Sequence, residues 1–149
     1  MNTRILVVAH ESALGGLQSL IEAEPDFEVA AACSEWWRGI ATLGETEVDL
    51  CILDVSRPGM DAELVIRRFK QQHPFLKIIA LVDDRDYPRL RLVDSGVVAD
   101  HVVKNRIAQD LVGTVRRSLG GLSLARRRWV GKLVGSSTAG LLAATGPVD

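Results

Sequence analysis

Asp49-Leu50-Cys51-Ile52-Leu53-Asp54 runs straight into Val55-Ser56-Arg57-Pro58-Gly59-Met60-Asp61. The first part is a short apolar run of strand length that ends on a carboxylate. The second part is a loop built on Arg57-Pro58-Gly59, after which residues 61–72 carry Leu64, Val65, Arg68 and Phe69 in helical spacing. His73-Pro74 stops that helix.

Outward from this stretch the same alternation repeats. Arg4-Ile5-Leu6-Val7-Val8-Ala9 is continuous and β-branched, as a strand covered on both faces requires. Ser12 is placed to cap a helix reaching about residue 24, with Leu14, Leu17, Leu20 and Ile21 on one face. Residues 28–32 form a weaker strand, and Ser34 opens a helix running to about residue 43. Residues 77–82 are a fourth strand, and Pro88 suits the first turn of a helix that Gly96 ends. His101-Val102-Val103 is a short fifth strand leading to Lys104, and Asn105 is placed to cap a last helix over 106–119. Five strands alternating with helices predict an α/β fold with a parallel sheet covered on both faces. At this size the expected form is the flavodoxin-like doubly wound, five-stranded sheet. Its reactive edge lies at the carboxyl ends of the strands, where Ala9, His10, Glu11, Asp54, Val82, Asp83, Asp84 and Lys104 all fall.

With 149 residues, 47% of them hydrophobic and 25% charged, the chain is long enough for one domain and an appendage. The expected division is 1–119 for the domain and 120–149 for a helical linker or tail. A net charge of −1 gives no global reason to expect nucleic acid or membrane. The tail is different: Arg126, Arg127, Arg128 and Lys132 stand against Asp149 alone, so residues 119–149 are net +3. Such a run is commonly a solvated helix face, and a basic patch for nucleic acid, a membrane surface or an acidic partner is the sharper alternative. Cys33 and Cys51 each sit in an apolar run and read as buried thiols. No signal-peptide layout opens the chain, and the apolar stretch at 139–144 is too short to span a bilayer, so the expected location is cytoplasmic, with no membrane partner.

The run Ile52-Leu53-Asp54-Val55-Ser56-Arg57-Pro58-Gly59-Met60-Asp61 closely resembles the phosphoacceptor strand and loop of response-regulator receiver domains, with proline four residues after the aspartate. Lys104 after Val102-Val103 resembles the lysine that ends that family's fifth strand, and the register covers about residues 4–119. Within the family, Leu20-Ile21-Glu22-Ala23-Glu24-Pro25-Asp26 and the Met60-Asp61 loop are most similar to the NarL/LuxR-type subgroup. The resemblance implies a two-component signalling module in which Asp54 holds the phosphoacceptor position and Lys104 is the active-site cation. Phosphoryl transfer there is electrostatic positioning around a magnesium ion, which needs oxygen ligands.

The sequence departs from that pattern in several places. Two acidic positions after the first strand are Ala9 and His10, the hydroxyl position ending the fourth strand is Val82, and the switch aromatic of the fifth strand is His101. The expectation is therefore a pseudo-receiver: no cofactor, with magnesium binding weak or absent, no enzymatic activity, and output through a protein partner or a homodimer. The alternative is a working phosphoacceptor on Asp54 in a phosphorelay, with Asp83 or Glu11 replacing the metal ligands. His10 either contacts Asp54, the preferred reading, or faces solvent. Asp83 and Asp84 either restore a metal site or, as the preferred reading, cap the next helix. Trp36 and Trp37 cannot both be buried on one helix, so one is a candidate partner anchor; Trp129 in the tail is another. A NarL/LuxR-type regulator would meet DNA through a domain beyond the linker, so the expectation is a chain cut there. A small doubly wound enzyme is disfavoured, because no Gly-rich phosphate loop follows the first strand.

Overall fold

The structure is a computed structural model that describes residues 2–84 and 96–120. All but residues 119 and 120 belong to the unit Met1–Ser118; the rest of the second unit, Leu119–Asp149, lies outside the described residues. The expected helix after Pro88, the tail with its arginine run, and Trp129 therefore fall outside the described residues.

Five strands form one parallel sheet: β1 Thr3–Val8, β2 Phe27–Cys33, β3 Leu50–Asp54, β4 Lys77–Val82 and β5 Asp100–Val103. Their order is β2-β1-β3-β4-β5, with every neighbouring pair parallel. This is the doubly wound order expected from the sequence. The described helices are α1 Glu11–Glu22, α2 Trp36–Glu45, α3 Ala62–Gln72 and α4 Ile107–Leu119.

Strand periodicity sorts the core into two layers. Leu6, Val8, Cys51, Leu53, Ile78, Ala80 and Val82 pack with Val65, Ile66 and Phe69 of α3. The alternate residues Ile5, Val7, Leu50, Ile52, Ile79 and Leu81 are equally buried. With them α1 buries Leu17 and Ile21, and α4 buries Leu111 and Val115. Apart from Arg4 and Lys77 near their starts, β1, β3 and β4 are buried on both faces, which is why their sequences show continuous apolar runs and no alternation.

Helix starts depart from the expected caps. His10, not Ser12, caps α1: its Nδ1 accepts the Ser12 amide at 3.1 Å. α2 begins at Trp36 rather than at Ser34, and its N-cap Glu35 makes no side-chain cap bond. Packing sets this helix instead. A Cβ on Gly39 would come within 2.9 Å of Val8 Cγ2 and 3.1 Å of Phe69 Cζ, so α2 approaches the sheet as closely as a glycine allows. Trp36, Ile40 and Leu43 share that face and pack on the core. Asn105 does not cap the last helix; it lies in a 3-10 turn, Lys104–Arg106, and α4 starts at Ile107. Asp61 does cap α3, accepting the Leu64 amide at 3.1 Å.

Candidate functional site: the carboxyl ends of the strands

The loop after β3 positions the site. Pro58 and Gly59 occupy the two central positions of a turn closed by the Met60 amide on the Arg57 carbonyl at 3.1 Å, and Gly59 has φ of 79°. This is the combination a type II turn selects: proline first, then a residue free to take positive φ. Arg57 Nη1 donates to the Ser34 carbonyl and so ties this loop to the start of α2.

Asp54 ends β3 opposite Leu81 of β4, and only 4% of the residue is exposed. A carboxylate so placed needs compensation, because burying a lone charge is costly. Lys104 supplies it, with Nζ 2.9 Å from Asp54 Oδ2. The other oxygen, Oδ1, accepts the Ser56 amide at 3.0 Å. The same lysine lies 3.8 Å from Asp83 Oδ1 at the end of β4. The Ser56 hydroxyl in turn accepts the Asp83 amide at 2.8 Å. Asp54, Lys104 and Asp83 were all legible at strand ends. Ser56 was not singled out, because one serine in a polar loop carries no signal until the β3–β4 register places it beside Asp83.

The remaining sequence positions behave differently. Ala9 is fully buried and offers no ligand, and its amide bonds the Cys33 carbonyl at 3.1 Å. His10 is exposed, and its Nδ1 lies 2.9 Å from Ser12 Oγ as well as holding the Ser12 amide. The preferred reading of His10 as a contact of Asp54 is thereby corrected: capping α1 takes the imidazole. Glu11 is exposed in the first turn of α1. Val82 is buried in the core and has no polar atom to offer. His101 is half-buried, with Nδ1 3.7 Å from Asp100 Oδ1.

Magnesium takes oxygen ligands in near-octahedral geometry, usually with one or two carboxylates among them. Among the described residues no group of three His, Cys, Asp or Glu side chains is arranged to hold an ion. The Asp54 carboxylate faces a lysine, and the end of β1 contributes an apolar side chain and a capping imidazole.

Away from the cleft, Trp36 packs on the core while Trp37 is 55% exposed, and their rings meet edge to face at 5.7 Å between centroids. Arg116 of α4 bonds Asp26 at 2.7 and 3.0 Å and Glu24 at 2.7 Å, and it covers the Phe27 ring at 4.5 Å. That guanidinium holds the Asp26 carboxyl below its ordinary range. Burial pushes the Cys51 thiol up, which keeps it protonated and inert as a buried apolar residue. No described helix is long and apolar enough to cross a membrane.

No protein-family model matches the chain. The transcriptional regulatory protein LiaR of Bacillus subtilis is 25% identical over 134 residues, covering 87% of this chain and 62% of that protein. The regulatory protein VanRB of Enterococcus faecalis is 30% identical over 135 residues, covering 89% and 60%. A protein-glutamate methylesterase/protein-glutamine glutaminase of Paramagnetospirillum magneticum is 29% identical over 116 residues, covering 75% of this chain but 30% of its own length. The chain thus spans about three fifths of the regulators and about a third of that methylesterase. Among solved structures, the signal receiver domain of an HD domain-containing protein from Pseudomonas fluorescens matches with a TM-score of 0.71 and 26% identity, over 85% of this chain and 93% of that one. The non-phosphorylated receiver domain of RcsB from Escherichia coli has a TM-score of 0.69 and 21% identity, over 78% and 95%.

Proposed function

We propose that this chain is a response-regulator receiver domain in signal transduction and works as a pseudo-receiver: it signals by binding a protein partner or a second copy of itself, independently of a phosphoryl switch. One observation carries the reading. Asp54 is closed off by the Lys104 ion pair at 2.9 Å, while the positions that would bring a metal to it are Ala9, buried, and His10, occupied with capping α1. Val82 removes the hydroxyl that would help hold a phosphoryl group, and His101 replaces the switch aromatic.

The module is read as non-enzymatic, as a member of a NarL/LuxR-type regulator, and as cytoplasmic. Its similarity to the methylesterase covers under a third of that enzyme's length. DNA contact would come through a domain beyond this chain; dimers of the structural neighbour RcsB are known bound to two parallel DNAs. Trp37, exposed beside a core-packed Trp36, is the candidate anchor for a partner.

The test is a mass spectrum of the whole chain after acetyl phosphate with magnesium. An unmodified mass is expected. A stoichiometric phosphoryl adduct that Asp54→Asn abolishes overturns the reading in favour of a working phosphoacceptor. Sedimentation across a wide concentration range tests self-association, with a dimer expected and a clean monomer counting against the second-copy route.

A further inference from the structure

Four residues at the cleft close a ring across three strand ends. Lys104 Nζ reaches Asp54 Oδ2 at 2.9 Å and Asp83 Oδ1 at 3.8 Å. Asp54 Oδ1 accepts the Ser56 amide at 3.0 Å, and Ser56 Oγ accepts the Asp83 amide at 2.8 Å. One ammonium therefore answers two carboxylates unequally: a hydrogen-bonded pair with Asp54 and a looser ion pair with Asp83.

The imbalance has a physical consequence. The Lys104 side chain is 30% exposed, so its strongly hydrated ammonium is largely shielded from water and loses a hydrogen-bonded partner if Asp54 releases it. Its flexible four-carbon stem allows a shift of about an ångström, the distance that separates a 3.8 Å contact from a hydrogen bond. The Asp83 backbone is fixed beside it, because its amide is tied to the Ser56 hydroxyl.

We propose that Lys104 is a shared cation that passes from Asp54 to Asp83 whenever the Asp54 carboxylate loses its charge or is taken by another cation, and that Ser56 is the positioning residue that holds Asp83 ready. The transfer needs neither a metal nor a hydroxyl at position 82. The inference rests on the reading that an internal ion pair, and not a bound metal, sets the resting cleft.

The experiment is NMR on the isotopically labelled whole chain, following the Lys104 ammonium and the Asp83 amide. In Asp54→Asn the ammonium should remain slow to exchange and correlate with the Asp83 carboxyl; the added Asp83→Asn should free it. Ser56→Ala keeps every charge and tests the positioning half alone. There the Asp83 amide should lose about five- to tenfold of its exchange protection, the worth of one hydrogen bond. A Lys104 ammonium that exchanges as fast in Asp54→Asn as in Asp54→Asn/Asp83→Asn overturns the transfer. An unchanged Asp83 amide in Ser56→Ala overturns the role of Ser56. A magnesium titration of the unaltered chain separates the two levels. Binding at micromolar concentration sinks the ion-pair reading itself, whereas no binding with a freed Lys104 sinks the transfer alone.

Discussion

Lys104 and Asp54 meet at 2.9 Å although their strands are not neighbours: β3 carries the aspartate, β5 leads to the lysine, and β4 runs between them. The lysine therefore reaches across the end of β4, which is where Asp83 waits at 3.8 Å. Asp54 has nowhere to discharge into solvent, whereas Lys104 is partly wet and has a second carboxylate at hand.

That asymmetry predicts unequal single mutants. Lys104→Ala strands a buried carboxylate and should cost about 2–3 kcal/mol, below the full value for a pair with neither partner exposed. Asp54→Ala should cost less, since Asp83 takes up the lysine, and the double variant should be more stable than Lys104→Ala alone. Thermal melts of the four proteins check this; strictly additive losses would show that the two residues are uncoupled.

Glycines offer a second test, with opposite signs at different sites. Gly39→Ala should destabilise by about 1–3 kcal/mol, because the new methyl must displace Val8 and Phe69. Helix propensity alone predicts the reverse. Gly15 and Gly16 lie in α1 with open space around the position of a Cβ, and Gly15→Ala or Gly16→Ala should each stabilise by about 0.5–1 kcal/mol. Denaturant midpoints of the three variants decide it.

Acids placed at the end of β1 should create a metal response. His10→Asp keeps a side chain that caps α1, so it should be close to neutral for stability. Ala9→Asp together with His10→Asp should tighten magnesium binding by at least about tenfold, as hard oxygen ligands are added beside Asp54. Calorimetric titration reads the change, and no gain in the double variant would mean these positions do not face the cleft.

His73, at the C-terminal end of α3, supplies a pH dependence. Burial lowers its imidazole below the ordinary 6.5, opposed by hydrogen bonds with the backbone of His73 and Val48. The folded state thus resists a proton that the unfolded chain accepts. The contribution is full above about pH 6.5 and is lost as the pH falls through the lowered folded value. Melting temperature should drop over that interval, and His73→Asn should flatten the profile. An identical slope in the variant would assign the effect to other groups.

Strand positions were legible because three of these strands are buried on both faces, and continuous apolar runs survive any detail of packing. The expected 77–82 is the observed β4, and the other strands agree to within a residue or so. Helix starts were less legible, since several residue types can cap and the choice depends on where the preceding strand releases the chain. His10 capped where Ser12 was expected, and α2 took its start from the packing of Gly39 rather than from a cap.

By itself the sequence determined the parallel α/β fold, the placing of Asp54 and Lys104 at strand ends, and the apolar residue and imidazole, Ala9 and His10, that follow β1. Each of these is a local property: apolar period, turn chemistry, residue identity. Only the tertiary structure decided that Lys104 reaches across β4 to pair with Asp54 and approach Asp83, and that the Ser56 hydroxyl accepts the Asp83 amide. Those contacts join residues far apart in the chain, and their existence depends on strand order and register. No local pattern encodes a distance of a fraction of an ångström between an ion pair and a hydrogen bond.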